Sequence, residues 1–383
     1  MSFFVLIWKG LTRNWFRTLL TTLAITVALF LFSTLQTVLT SMDLAVEALG
    51  NTRLVSRNAI SLIFPVPLSY AERIAKMDGV DAVAWANWFG GQYKDRPQSF
   101  FANFAVDAES YLDMYPEMQI PADQRAAFMS ERTACVVGTR LAQDFGWKVG
   151  DNVTLTGTIY PGDYTFTIRA IYDSNTRGFD KRSMLFHWKY LDESQPPNRQ
   201  GNVGWYMVRL KNPNDAARVS AAIDGTFENS SARTLTESEQ AFQEGFNGML
   251  GNMKTMVYLI GIAVVIAMVL VAANTMIIAG RERTRELATM KALGFDDDTC
   301  MRLLLAESLL VALIGGVLGT VVAKAIYDAT GFTMGGFFPD FSVEWTTVIA
   351  GLVIATVIGL ISGFVPARRA QKLRIVDALR NVG

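Results

Sequence analysis

The residues best suited to specific work lie in one stretch, RERTRELATMKALG at 281–294, where arginines, glutamates and a lysine crowd between two apolar runs. On a helix, Arg281, Arg285 and Thr289 share a face, as do Glu282 and Glu286. Glu282 is expected to pair with Arg285, and Glu286 to lie beside Thr289 or Met290. Gly294 is the expected stop, because glycine readily takes the left-handed backbone that ends many helices. A short helix that is polar around most of its circumference offers recognition rather than bond-breaking chemistry. It can serve as a linker at a membrane surface or as a docking element for another protein.

Catalysis finds no residues to carry it. The sequence contains no HExxH, no GxSxG and no CxxC, and no GxxxxGK[ST] loop to cradle a nucleotide phosphate. The two cysteines, Cys135 and Cys300, make no disulfide framework and read as buried or interfacial fillers. The single histidine, His187, leaves little room for a histidine metal site or proton relay. A net charge of +0 argues against nucleic acid, whose binding needs clustered positive charge.

The elements that must position the 281–294 helix are membrane spans. Half the residues (51%) are hydrophobic and only 18% are charged, against roughly 25% charged in a soluble domain. Four apolar runs, at 18–40, 255–280, 303–327 and 345–365, match the roughly 20 residues a bilayer crossing takes. None has a charge near its centre, and Glu307 and Lys324, near opposite ends of the third run, are expected to snorkel towards the interfaces. A cleaved signal peptide is the competing reading of the first run. Its apolar stretch exceeds the 7–15 residues typical of a signal core, and no small-x-small site follows.

The spans imply an order of parts: a cytoplasmic amphipathic lead-in at 1–17, a long insertion at 41–254, a polar helix and link at 281–302, a short loop at 328–344 and a tail at 366–383. Lys and Arg cluster before the first span, between the second and third, and after the fourth, while 328–344 has none. The positive-inside rule then puts both termini and the 281–302 segment in the cytoplasm and the insertion outside it. The insertion reads as mixed α/β, with a helix after Pro67, strands in VAWANWFGGQY, FFANFAVDA and WYMVRL, and period-two alternation at 164–171. The polar stretch 172–202 reads as an irregular insertion or the tip of a subdomain, and 236–254 as a helix bent at Gly245, Gly248 and Gly251 or a poorly formed linker. Trp85, Trp88, Trp147, Trp188 and Trp205 read as core rather than as a ligand platform.

These residues resemble the MacB/FtsX family of ABC permeases. Arg283, Arg285-Glu286-Leu287 and Lys291-Ala292-Leu293-Gly294 match the family segment after the second span, with Leu287 in place of the commoner isoleucine. Glu307 opening a span that carries Gly315, Gly316 and Gly319 matches the third, and Pro366-Ala367-Arg368-Arg369-Ala370 with Ala378-Leu379-Arg380 matches the C-terminus. A proline common before that last motif is absent, with Ile375 and Val376 there instead. Val137-Gly138 and Val149-Gly150-Asp151 resemble the family's periplasmic core domain. The resemblance implies a four-span α-helical permease of the bacterial inner membrane with a mixed α/β periplasmic domain. It implies that the chain binds no cofactor and is not itself an enzyme, with ATP and Mg held by a partner ATPase. Arg281, Arg283, Arg285, Glu286, Lys291, Ala292 and Gly294 would form the coupling helix on that ATPase. Gly315, Gly316 and Gly319, with Gly359 and Gly363, would allow close span packing. A second permease, a periplasmic adaptor and membrane lipid complete the implied partners. Export or extraction of an amphipathic molecule is the leading function, and mechanical regulation of a periplasmic cell-wall hydrolase is the alternative.

Overall fold

The computed structural model describes residues 9, 12–94, 101–249, 253–330 and 341–373. It divides into a helical unit (Met1–Thr40, Asn252–Phe332 and Phe341–Gly383) and an α/β unit (Ser41–Gly251 with Thr333–Asp340).

The helical unit contains α1 (Trp15–Glu47, its last turns counted with the α/β unit), α9 (Met253–Glu282), α10 (Thr284–Ala292), α11 (Asp297–Thr330) and α12 (Trp345–Gln371). All but α10 are long and apolar enough to cross a membrane. Each is longer than its apolar run in the sequence. α12 continues past Pro366, whose ring lies close over Gly280 of α9. Small residues set how closely the spans approach. A Cβ on Gly319 would stand 2.5 Å from the Thr26 carbonyl oxygen, and one on Gly315 would stand 2.9 Å from Ile25. On the opposite side of α11, Gly316 faces Ala355, while Gly359 and Gly363 of α12 lie against Leu309 and Ser308. α11 is thus gripped by α1 on one side and α12 on the other. Without a hydrophobic drive between helices in lipid, such contact area is what holds spans together.

The α/β unit is built on a nine-stranded sheet. Its strands are β1 (Arg53–Asn58), β3 (Val80–Trp88), β4 (Asn103–Val106), β5 (Ala134–Gly138), β6 (Asn152–Gly157), β7 (Gly162–Tyr172), β8 (Met184–His187), β10 (Trp205–Leu210) and β11 (Thr234–Ser238). They lie in the order β11-β1-β10-β3-β4-β8-β5-β7-β6, and β2 (Val66–Pro67) pairs separately with β9 (Asn202–Val203). Only β4–β8 and β5–β7 run parallel. Alternation along each strand feeds two cores, one on each face. Leu54, Cys135, Val137 and Val208 point to the face covered by α2 (Tyr70–Ala75), α5 (Thr139–Phe145), α6 (Trp188–Ser194) and α7 (Ala216–Phe227). Val55, Val136 and Met207 point to the face under α3 (Tyr111–Met114) and α4 (Ala122–Ser130).

Two sequence expectations need correction. The stretch 172–202 is not an irregular insertion, because β8 lies inside the sheet between β4 and β5 with Met184, Leu185 and Phe186 buried. Four residues are too few to display a period, so a central strand looked like loop. The segment after Thr234 is a strand before it is a helix. α8 (Glu239–Met249) begins only at Glu239 and runs unbroken through Gly245 and Gly248, while the expected bend at Gly251 lies outside the described residues. Burial of Trp147 and Trp188 agrees with their reading as core. His187 is held by the Phe128 carbonyl oxygen, 2.8 Å from Nε2, and burial lowers its pKa.

A buried cation ties the start of α8 to β1 and α3. Arg53 is 3% exposed and donates from Nε to Glu239 at 2.6 Å and from Nη1 to Glu117 at 3.0 Å, with its guanidinium over the Tyr115 ring. The Tyr115 hydroxyl donates to the other Glu239 oxygen at 2.6 Å. Burial alone would lower the Arg53 pKa, but the charge of Glu239 and its hydrogen bond hold it above the usual value. Arg53→Met leaves Glu239 buried without its cation, for an expected loss of about 3–5 kcal/mol. Thermal unfolding of the full-length chain, followed by tryptophan fluorescence, should show the loss as a lower midpoint. An unchanged midpoint would refute the hub.

Candidate functional site

The 281–294 segment folds as a short helix set off from α9 by a one-residue break. Arg283 alone separates the two helices, its backbone (φ −96°, ψ 6°) breaking the hydrogen-bonded spiral. The stop is the one the sequence implies. Gly294 takes φ +94°, its N–H donates to the Lys291 carbonyl at 3.0 Å, and the Phe295 N–H donates to the Met290 carbonyl at 3.1 Å. This pair of bonds is the Schellman arrangement, which satisfies the last carbonyls of a helix.

Charges tie α10 and the last residue of α9 to α11, to the end of α12, and to α1 with the residues just before it. Arg283 is ion-paired to Glu307 of α11, both buried. Glu282 takes Arg17 and the Asn14 side chain of the α1 lead-in, and Glu286 takes Arg13. Lys291 is 9% exposed; its Nζ donates to the Gln371 and Leu373 carbonyls at 2.8 and 3.1 Å and meets Asp297 at 2.7 Å. A lysine on the last carbonyls of α12 neutralises the negative end of that helix. Between these anchors, Leu287 packs with Cys300, Leu304, Ala367 and Ala370.

The outer side is bare. Arg285, Thr289, Ala292 and Gly294 are exposed, Leu293 is 75% exposed, and Phe295 is 39% exposed beside Asp296, Asp297 and Asp298. An exposed leucine and phenylalanine at a helix end, rimmed by charges of both signs, have the composition of a protein contact.

The structure separates residues that the sequence groups together. Arg281, Arg285, Ala292 and Gly294 remain at the surface, whereas Arg283 and Lys291 turn inward and hold the helix in place. Glu307 does not snorkel, because Arg283 meets it inside the unit. Lys324 reaches the Val343 carbonyl at 2.8 Å and Asp328 at 2.9 Å. Glu282 pairs with Arg17 and not with Arg285, because it closes α9 while Arg285 lies past the break at Arg283. Pro366 lies over Gly280, Arg368 stacks on Phe364, and Arg369 lines a cavity beside Arg281. Sequence reading missed Arg13 and Arg17 as parts of this site, and Leu293 and Phe295 as its apolar centre. The basic lead-in was the available signal for the first pair.

Because the Arg283–Glu307 pair is buried, removing one partner strands the other. Arg283→Met is expected to cost about 3–5 kcal/mol. The charge swap Arg283→Glu with Glu307→Arg should recover part of it, as read by a double-mutant cycle on thermal unfolding in detergent. Additive losses with no recovery would show that the two charges do not act as a pair. Gly319→Val should cost about 1–3 kcal/mol by driving its side chain into the Thr26 carbonyl, read by the same unfolding measurement.

Residues 18–226 match the family described as MacB-like periplasmic core domain, and residues 258–375 match the FtsX-like permease C-terminal family. An uncharacterized ABC transporter permease of Methanocaldococcus jannaschii is 24% identical over 326 residues, covering 80% of this chain and 77% of that protein. The macrolide export ATP-binding/permease protein MacB of Agrobacterium fabrum is 26% identical over 284 residues, 73% of this chain and 38% of that protein. MacB of a Shewanella species is 37% identical over 128 residues, 33% of this chain and 20% of its own length. The chain thus spans about three quarters of the archaeal relative and well under half of these two MacB proteins. The crystal structure of the periplasmic region of MacB from Actinobacillus actinomycetemcomitans aligns with a TM-score of 0.38 at 7% identity, over 53% of this chain and 95% of that one. The family matches, read with the four spans and the α/β unit set between the first and second, show that this chain is a multi-pass ABC transporter permease of the MacB/FtsX type.

Proposed function

We propose that this permease is the membrane subunit of an ATP-driven exporter and seats the outer face of α10 on a cytoplasmic ATPase. The observation that carries the reading is the two-sidedness of α10. One side is tied by Arg283 and Lys291 to α11 and α12, with Glu286 held by Arg13 ahead of α1, and the other side offers Arg285, Thr289, Leu293 and Phe295. A push on the outer face would therefore reach α1, α11 and α12 together. ATP and Mg belong to the partner, which supplies the phosphate-cradling loop that this sequence lacks. The three basic clusters support placing α10 and both termini on the cytoplasmic side of the inner membrane, with the α/β unit in the periplasm. Two permease copies and two ATPases would make the working assembly.

The cargo in this reading is amphipathic: a drug, peptide, lipid or lipoprotein taken from the periplasmic side. The loop after β1 supports an apolar contact outside the membrane. Ile60 and Ile63 are 81% and 89% exposed and Phe64 is 52% exposed. Their backbone is fixed by Asn58 Oδ1 on the Ile60 N–H and by the Ser61 hydroxyl on the Ile63 N–H, at 3.0 and 3.3 Å.

Co-expression with a neighbouring ABC ATPase gene tests the docking face. The wild-type chain should co-purify with the ATPase and support ATP hydrolysis. Arg285→Glu and Leu293→Glu, exposed positions where a glutamate costs the permease little, should weaken association by about tenfold or more. An ATPase that binds and works equally well with both variants rules out this face as the docking surface.

A further inference from the structure

Residues of α9, α10 and α12, with Leu373 just beyond α12, line a cavity of about 200 Å³. Two of its lining residues are the arginines Arg281 and Arg369, and no carboxylate is among them. Neither arginine meets an acid or a hydrogen-bond acceptor among the described residues, although most other arginines of the protein do. The rest of the wall is largely apolar, with Ile277 of α9, Leu287 of α10, Pro366 of α12 and Leu373 just beyond it. The cavity lies where two spans reach their polar ends: the apolar run of α9 finishes at Arg281, and the basic end of α12 begins at Arg368.

Two arginines with no acidic partner among the described residues, set over an apolar wall at the depth where a bilayer changes from chain to headgroup, suit a ligand with an anionic head and an apolar tail. We infer that this cavity binds the headgroup of an anionic phospholipid, with its phosphate held by Arg281 and Arg369 and its glycerol and upper acyl chain lying along Ile277 and Pro366. Guanidinium groups take phosphate oxygens in paired hydrogen bonds, and basic pockets between spans are suited to lipid headgroups. A soluble phosphate would satisfy the arginines but leave the apolar wall uncovered, so the lipid is the better occupant. Arg281 therefore has a role different from that of Arg285, although both belong to one basic motif. The site lies against Leu287, the buried residue beneath α10, so lipid occupancy would bear on how firmly that helix is seated. The inference needs only the membrane placement of the family and is independent of whether an ATPase docks on α10.

Native mass spectrometry of the full-length chain in detergent, titrated with phosphatidylglycerol or phosphatidylcholine, reads the site directly. Each arginine near the surface is worth about a fivefold change in anionic-lipid affinity, so the pair should favour phosphatidylglycerol by about 25-fold. Arg281→Gln and Arg369→Gln should each remove about fivefold of that preference, and the double variant all of it. Arg368→Gln, whose side chain stacks on Phe364 outside the cavity, should keep it. Ile277→Trp, which fills the apolar wall and leaves both charges in place, should lower phosphatidylglycerol binding as well. Equal binding of the two lipids overturns the proposal, as does an equal loss in Arg368→Gln, which would mean a diffuse basic surface. Full binding in Ile277→Trp, or displacement of phosphatidylglycerol by millimolar inorganic phosphate, also overturns it, because the acyl chain would then have no part in the site.

Discussion

A charge inside a membrane protein must find its opposite or leave, and the Arg283–Glu307 pair is where this chain meets that requirement. Arg283 lies at the break between α9 and α10, and Glu307 lies within α11. Together they tie the break between α9 and α10 to α11. Desolvating two charges is costly, and an apolar pair of the same volume can be as stable or more so. What an ion pair supplies and an apolar contact does not is direction: it holds α10 in one orientation. Lys291 on the carbonyls at the end of α12, and Glu286 on Arg13 just ahead of α1, hold the same helix from other sides. The exposed leucine and phenylalanine at the helix end therefore occupy a defined place.

The α/β unit applies the same logic with different residues. Arg53 holds Glu239 at the first turn of α8 and Glu117 beyond α3, with Tyr115 closing the circuit. In both units a buried arginine joins elements that are far apart in the sequence. The apolar surfaces supply most of the stability, and the few buried charges choose among arrangements of similar packing.

The spans were legible because a bilayer demands long apolar runs, and nothing else in a protein of this composition accounts for four of them. The stop at Gly294 was legible because a left-handed residue with no side chain has few other uses next to a polar helix. Charge pairing was not legible. Reading along a helix sees partners three or four residues away, whereas Glu307 is 24 residues from Arg283 and Arg17 is 265 from Glu282. For that reason the sequence groups Arg283 and Lys291 with the exposed residues of the motif, while the structure buries both in contacts with other helices. β8 was hidden by its length, and β1 by a polar sequence, RLVSRN, whose Arg53 and Asn58 are buried for their hydrogen bonds.

The grip of α1 and α12 on α11 has a consequence for how this sequence can drift. Gly316 meets Ala355, Gly351 meets Thr320, and Gly363 meets Ser308, each at a distance that leaves no room for another methyl group. What is fixed at these contacts is a sum of two volumes and not the identity of either residue. A lineage that gains a carbon on one helix must lose one on the facing helix, so tolerated changes should arrive in pairs. Along these seams the history of the family would be written as exchanges between helices, with each position free to vary only as its opposite number allows.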